Sequence, residues 1–299
     1  MDHKPAEIVI ISGKGGTGKT SLAASFAVLA DRPVIADCDV DASDMHLLLS
    51  PRIGERHDFY SGNEAVIRRK DCIGCGACLA HCRFGAVKME GNTAGDARFR
   101  IEPFYCEGCG VCVRFCPVQA VDFPEKLSGE WMISDTRCGP MVHARLGVSA
   151  GNSGKLVSTV RNEARRIAVD KRRPVIIVDG PPGIGCPVIA SIAGADAVVA
   201  VAEPTLSGIH DLDRVSGLTR HFGLPLFVCV NKWDVNAGMT ETIGAKCAES
   251  GAVFLGRISY DPCVTKAQIA ATTVIEYGDS VSVPEIRTIW ERLCQMTRQ

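Results

Sequence analysis

Glu7-Ile8-Val9-Ile10-Ile11-Ser12-Gly13-Lys14-Gly15-Gly16-Thr17-Gly18-Lys19-Thr20 joins a buried-strand run to a glycine-rich turn, and a helical pattern, Ser21–Leu29, follows. The turn satisfies G-x-x-x-x-G-K-[ST]. Its glycines let backbone N–H groups close around phosphate oxygens, and the helix N-terminus adds its positive end. Gly13, Gly15, Gly16, Thr17, Gly18 and Ser21 therefore frame a phosphate cradle. Lys19 reaches the β- and γ-phosphates, and the Thr20 hydroxyl is a Mg²⁺ ligand.

Four more apolar runs, Pro33–Ala36, Pro174–Val178, Ala197–Val201 and Leu226–Val230, are separated by spacers of helical length. Such alternation gives an α/β fold, a doubly wound and mostly parallel sheet with helices on both faces. The 299 residues are 46% hydrophobic with a net charge of −1, which excludes disorder and gives no overall field for nucleic acid. No run reaches the ~18 apolar residues of a membrane span, and no signal-like segment precedes Glu7. The expectation is a cytoplasmic protein with no stable membrane anchor. In a reducing compartment, 15 cysteines point to metal or redox use rather than disulfides. Eight of them fall between Cys72 and Cys116. The chain thus reads as residues 1–60 and 128–299 forming one α/β domain, with 61–127 inserted as a small cysteine-rich module.

Three further motifs sit where a nucleotide site needs them. Val34-Ile35-Ala36-Asp37-Cys38-Asp39 puts carboxylates at the end of the second strand, beside the phosphate turn. Val175-Ile176-Ile177-Val178-Asp179-Gly180-Pro181-Pro182-Gly183 ends a buried strand in an acid. Asn231-Lys232-Trp233-Asp234 follows another strand; Asn231 and, less directly, Asp234 are candidate base contacts. An N-K-x-D tetrad alone does not choose between purines.

The inserted module repeats itself. Cys72, Cys75, Cys78, Cys82 and, 34 residues on, Cys106, Cys109, Cys112, Cys116 share the spacing C-x₂-C-x₂-C-x₃-C. Three such thiolates wrap one corner of a cubane, and the fourth serves a neighbouring cluster. Four-cysteine zinc sites are the rival reading.

Lys14, directly after the first glycine, makes the turn resemble the deviant Walker A signature of the MinD/ParA/nitrogenase iron protein class of ATPases. The resemblance implies ATP and Mg²⁺ as ligands and an ATP-dependent homodimer, or a heterodimer with a close relative. In it Lys14 crosses to the other subunit's nucleotide. It also implies that Lys14, Lys19, Asp39 and Asp179 are catalytic. Asp39 would orient the attacking water, Asp37 and Asp179 would join Thr20 around Mg²⁺, and Gly180 would sense the γ-phosphate.

The cysteine module resembles a bacterial two-[4Fe–4S] ferredoxin, a small α+β domain. That resemblance implies crossed ligation: Cys72, Cys75, Cys78 with Cys116, and Cys106, Cys109, Cys112 with Cys82. Arg83 departs from that pattern, where a proline often follows the fourth cysteine. Cys186 lies seven residues beyond Asp179, the offset of a cluster-ligating cysteine in the nitrogenase iron protein. It reads either as a packing residue or as one ligand of a labile bridging cluster, with Cys138 as a weak second. The stretch Arg137–Gly147 and Asn152-Ser153-Gly154-Lys155 read as loops, lining a site or merely connecting. Ile286, Ile289, Trp290 and Leu293 form the face of a final helix packed on the core, opposite Arg287, Arg292 and Arg298.

The function implied is an Mg-ATP-dependent iron–sulfur protein. ATP-driven dimer closure would gate electron transfer or cofactor assembly on a redox or assembly partner. The alternatives are a MinD/ParA-like positioning ATPase with structural clusters, or an electron carrier with a regulatory nucleotide site.

Overall fold

The computed structural model describes residues 4–91, 97–147, 151 and 153–297. Asn152 and Arg298 lie outside the described residues. The described residues form two compact units: 4–57, 130–146 and 153–297 in one, and 58–91, 97–129, 147 and 151 in the other.

A nine-stranded sheet runs in the order Val253–Ile258, Leu226–Asn231, Ala197–Ala202, Ala6–Ser12, Val175–Pro182, Val34–Asp37, Pro140–Leu146, Glu125–Asp135, Arg52–Asn63. Every neighbouring pair from Val253–Ile258 to Pro140–Leu146 is parallel. These strands are runs of Ile, Val and Ala buried on both faces, the composition that helices on both sides demand. Their registers align Ile10 with Asp179, Asp179 with Asp37, and Asp37 with His143. One row across the sheet therefore carries two acids and an imidazole to its C-terminal edge, where open α/β sheets bind ligands.

Helix Lys19–Leu29 packs Leu22, Ala23, Phe26 and Ala27 into the core with Ile8, Ile35 and Ile177. The final helix, Ser282–Thr297, buries Ile286, Ile289 and Leu293, and Trp290 lies 5.0 Å from the Phe26 ring. Its apolar stripe is thus consumed by the core. Among the described residues no helix is long and apolar enough to cross a membrane.

The sequence reading of Arg137–Gly147 as a loop needs correction. Pro140–Leu146 is an interior strand, with Met141, Val142 and Ala144 buried. The polar residue that disguised it, His143, is buried too, its Nε2 2.8 Å from the buried Ser134 hydroxyl. Arg137 lines no nucleotide cleft. Its Nε and Nη2 donate to Glu276 at 2.6 Å, and Nη2 also reaches the Leu48 carbonyl. The Arg137 guanidinium holds the Glu276 carboxyl down to about 2 from its usual 4.5. A depressed carboxyl contributes stability above its unfolded value and loses it as pH falls toward the folded one. In acid unfolding, Arg137→Ala is expected to cost about 1 kcal/mol near neutral pH, discounted for partial exposure. The difference from wild type should vanish below pH about 2. A gap that persists there would assign the effect to the Leu48 contact instead.

The cysteine-rich unit has two small antiparallel ladders, Val66–Ile67 with Val121–Asp122 and Val87–Glu90 with Arg98–Ile101. Its helices Ala77–His81 and Val111–Arg114 each follow a glycine in the left-handed region, Gly76 and Gly110. The repeat is structural as well as numerical. Gly74 and Gly108 are also left-handed, and a side chain on either would meet a backbone oxygen, of Ala97 or Asn63, at 2.5 or 2.4 Å.

Candidate functional site

The phosphate turn, residues 13–18, joins the central strand to helix Lys19–Leu29. Gly18 caps that helix at φ 89°, which only glycine adopts without strain. A cleft of about 430 Å³ opens over the turn, lined by Gly15–Ser21 and Asp39, with Leu47, Leu48, Pro182 and Gln268 as further walls.

Lys19 is buried and holds the site together electrostatically. Its Nζ lies 2.8 Å from Asp179 Oδ1 and 3.2 Å from Asp39 Oδ2, and 3.4 Å from the Thr20 hydroxyl. Burial alone would pull its ammonium down, but Asp179 and Asp39 outweigh that and hold it above the usual lysine value. Asp37 is pushed up to about 7 by burial and by Asp179 beside it, against hydrogen bonding from Ser43. The Ser43 hydroxyl donates to Asp37 Oδ2 at 2.6 Å, and the Asp39 N–H donates to Oδ1 at 3.2 Å.

Whether these residues suit a metal-bound nucleotide can be judged from what is unsatisfied. Asp179 Oδ2 and Thr17 Oγ1 are both buried with no hydrogen-bond partner. A buried carboxylate oxygen without a donor is costly. It is the atom a hydrated divalent cation would satisfy, with Thr20 and Asp37 beside it. The donor set, hydroxyl and carboxylate oxygens, is one that Mg²⁺ accepts.

Lys14 stands apart from Lys19. Its Nζ pairs with Glu203 Oε2 at 2.9 Å and lies 3.4 Å from the Ser207 hydroxyl. Glu203 also binds Lys232 Nζ at 2.7 Å. The sequence reading missed Glu203. The clue was present: it directly follows strand Ala197–Ala202, at the sheet's ligand-binding edge.

Asn231 and Asp234 are both committed elsewhere in this conformation. Asn231 Nδ2 donates to the Thr17 carbonyl at 2.8 Å and its Oδ1 accepts from the Lys232 N–H. The amide therefore pins the phosphate turn. Asp234 Oδ1 accepts the Tyr260 N–H at 2.7 Å, a loop-closing role. Gln268, unremarked in the sequence, donates to Ser21 Oγ at 3.0 Å and faces the cleft.

In the other unit, a small apolar cavity is lined by Cys72, Cys75, Cys78 and Cys116 together with Ile67 and Phe99. Cys106, Cys109 and Cys112 lie close enough that the first two raise the third's thiol, after burial. Both fourth cysteines receive backbone donors. The Ala120 N–H donates to Cys116 Sγ at 3.2 Å. Burial opposes ionisation of Cys82, but the N–H groups of Phe84, Ala86, Val87 and Gly85 hold its thiol below the usual value. Among the described residues, no three His, Cys, Asp or Glu side chains converge on a single metal ion.

Cys186 is exposed and opens helix Cys186–Ile192. Cys138 is half-buried against the core, and burial raises its thiol. That packing makes it a poor second ligand.

The chain is 34% identical over 238 residues to an uncharacterised protein of Methanocaldococcus jannaschii, covering 77% of this chain and 79% of that one. Its fold matches the septum site-determining protein MinD of Pyrococcus horikoshii, solved with Mg-ADP, at TM-score 0.58 and 14% identity. That match covers 98% of this chain and 97% of the other. MinD in the MinC:MinD cell division complex of Aquifex aeolicus matches at TM-score 0.57 and 17% identity, over 97% and 96%. At such identities the likeness is one of fold. The family profile of the CobQ/CobB/MinD/ParA nucleotide binding domain matches residues 8–274, and the chain belongs to that family.

Proposed function

We propose that this protein is an Mg-ATP-hydrolysing switch of the MinD/ParA type, in which ATP pairs two copies of the chain through Lys14. The observation that carries the reading is the contrast between the two lysines. Lys19 is buried among the aspartates of the cleft, whereas Lys14 is held at the surface by Glu203. A lysine so placed is available to a second copy once another anion competes for it.

The chemistry follows from what the residues already hold. An incoming γ-phosphate competes with Asp39 and Asp179 for Lys19. Asp179 Oδ2, which has no hydrogen-bond partner, would hold Mg²⁺ together with Asp37 and Thr20, and the ion would neutralise charge on the transferring phosphate. Asp39, released from Lys19, accepts a hydrogen bond from water and aims it. Phosphoryl transfer of this kind is mostly positioning and electrostatics. Asp39→Ala should therefore bind ATP much as wild type does while turnover falls by about 100-fold or more. Unchanged turnover would remove Asp39 from the mechanism.

The relatives named for cell division favour a positioning role over electron delivery as the output of the switch. A second reading concerns the inserted unit: that it carries two [4Fe–4S] clusters, ligated across the repeat, as in a two-cluster ferredoxin. Its support is the cavity that brings Cys116 to Cys72, Cys75 and Cys78. Four irons spread their thiolates wider than one ion does, so such a set need not converge on a single point. Clusters of this kind supply one-electron redox chemistry, and coupling to ATP would give the switch a redox input or output. For a bridging cluster between copies, the exposure of Cys186 is favourable and the burial of Cys138 is not.

A further inference from the structure

A second cavity, of about 380 Å³, lies behind the nucleotide cleft within the same unit. Ser43 and His46 come to it from the segment after Asp37, Arg56 and Glu130 from the two strands beyond, and His143 and Arg145 from strand Pro140–Leu146. Its charge is lopsided. Two guanidinium groups face one carboxylate, and the His46 and His143 rings add hydrogen-bonding nitrogens beside them. That carboxylate is already engaged, Arg56 Nη1 lying 3.1 Å from Glu130 Oε2. Arg145 has no ion-pair partner among the described residues. The buried His143 ring is fixed by Ser134, so one wall is rigid before any ligand arrives.

The cavity shares its wall with the nucleotide site. Helix Met45–Leu49 presents Leu47 and Leu48 to the cleft, and His46 to the second cavity. Ser43, which lines the cavity, donates to Asp37 at 2.6 Å. Asp39, Ala42 and Asp44 of the same stretch line the cleft.

We propose that this cavity is a binding site for a small carboxylate- or phosphate-bearing molecule, recognised by Arg145, Arg56 and His46, whose occupancy is coupled to the nucleotide through residues 39–50. Guanidinium groups suit planar oxyanions because they donate two parallel hydrogen bonds. A ligand touching Ser43 and His46 biases the segment that carries Asp39, and coupling in binding runs both ways. The site itself stands on the cavity; only its coupling rests on the ATPase reading.

The test uses the full chain with Mg-ADP saturating the phosphate turn, so that added anion cannot report on it. Succinate and inorganic phosphate are titrated separately by calorimetry at low ionic strength. We expect one saturable site for at least one probe, and which probe binds names the class. Arg145→Gln and Arg56→Gln should each weaken it about tenfold, the loss of one charge-assisted hydrogen bond. Both substitutions lie on partly exposed side chains, and both variants should keep wild-type Mg-ADP affinity without probe. The probe should change Mg-ADP affinity about fivefold or more, in the common range of allosteric coupling. No saturable binding by either probe, or binding that both variants retain, overturns the site. Binding that leaves Mg-ADP affinity unmoved overturns the coupling. Failure of Mg-ADP to bind at all appears in the first titration and counts against the ATPase reading alone.

Discussion

Lys19→Ala should abolish measurable nucleotide binding and also destabilise the protein without any ligand. The first effect follows from removing the cation that meets the phosphates. The second follows from the cleft's internal pairing. Asp179 is fully buried and Asp39 nearly so, and both lean on the Lys19 ammonium. Deleting one partner of a buried ion pair leaves an uncompensated charge and costs about 3–5 kcal/mol. Urea unfolding of the nucleotide-free variant reads this loss. It should also depend on pH. Burial and the neighbouring Asp179 push the Asp37 carboxyl up to about 7 from its usual 3.8, so between those values the native state holds a proton the unfolded chain has released. Stability then falls as pH rises through that window. Without Lys19 the carboxylates hold their protons more firmly, and the fall should extend to higher pH. A variant as stable as wild type at every pH would mean the aspartates are not coupled through Lys19.

Cys116→Ser should remove one cluster and leave the other, taking anaerobically prepared protein from about eight irons and eight sulfides per chain to about four of each. The crossed arrangement makes a sharper demand on double variants. Cys75→Ser added to Cys116→Ser should lose nothing further, because the crossed arrangement proposed above assigns both residues to one cluster. Cys109→Ser added to Cys116→Ser should lose both clusters. If the pattern reverses, each run keeps its own fourth cysteine and the unit is not ferredoxin-like. Stoichiometric zinc without iron–sulfur absorbance would remove the clusters altogether.

What could be read from the sequence was what is local. The phosphate turn is a contiguous string whose spacing dictates its geometry, and the cysteine runs are likewise written in consecutive residues. The buried parallel strands are legible for the same reason, as unbroken Ile, Val and Ala. Strand Pro140–Leu146 was not, because Gly139, Pro140, His143 and Arg145 suggest a loop. Only the Ser134 hydroxyl, brought in from another strand, makes a buried His143 tolerable. Arg52–Asn63 escaped notice because it is mostly exposed and carries few apolar residues. Pairings between distant residues were invisible: Glu203 with Lys14, Arg137 with Glu276, Asn231 with the Thr17 carbonyl. In each, the residue type announces a hydrogen-bonding group, but the partner is chosen by the fold. Asn231 and Asp234 show the same limit: their tetrad marks them as hydrogen-bonding groups, and the fold pairs one with the phosphate turn and the other with the Tyr260 N–H.

The central claim is that ATP joins two copies of this chain through Lys14, and sedimentation velocity tests it most directly. Asp39→Ala protein, which should hold ATP without consuming it, is compared with the Lys14→Ala, Asp39→Ala double variant. Both are run with Mg-ATP and with no nucleotide. Both should bind ATP, since Lys14 lies outside the buried cluster around Lys19. The account predicts that Asp39→Ala sediments as a dimer only with ATP and that the double variant remains a monomer throughout. A double variant that dimerises with ATP as readily as its parent, or a parent that stays monomeric when saturated with ATP, would contradict it.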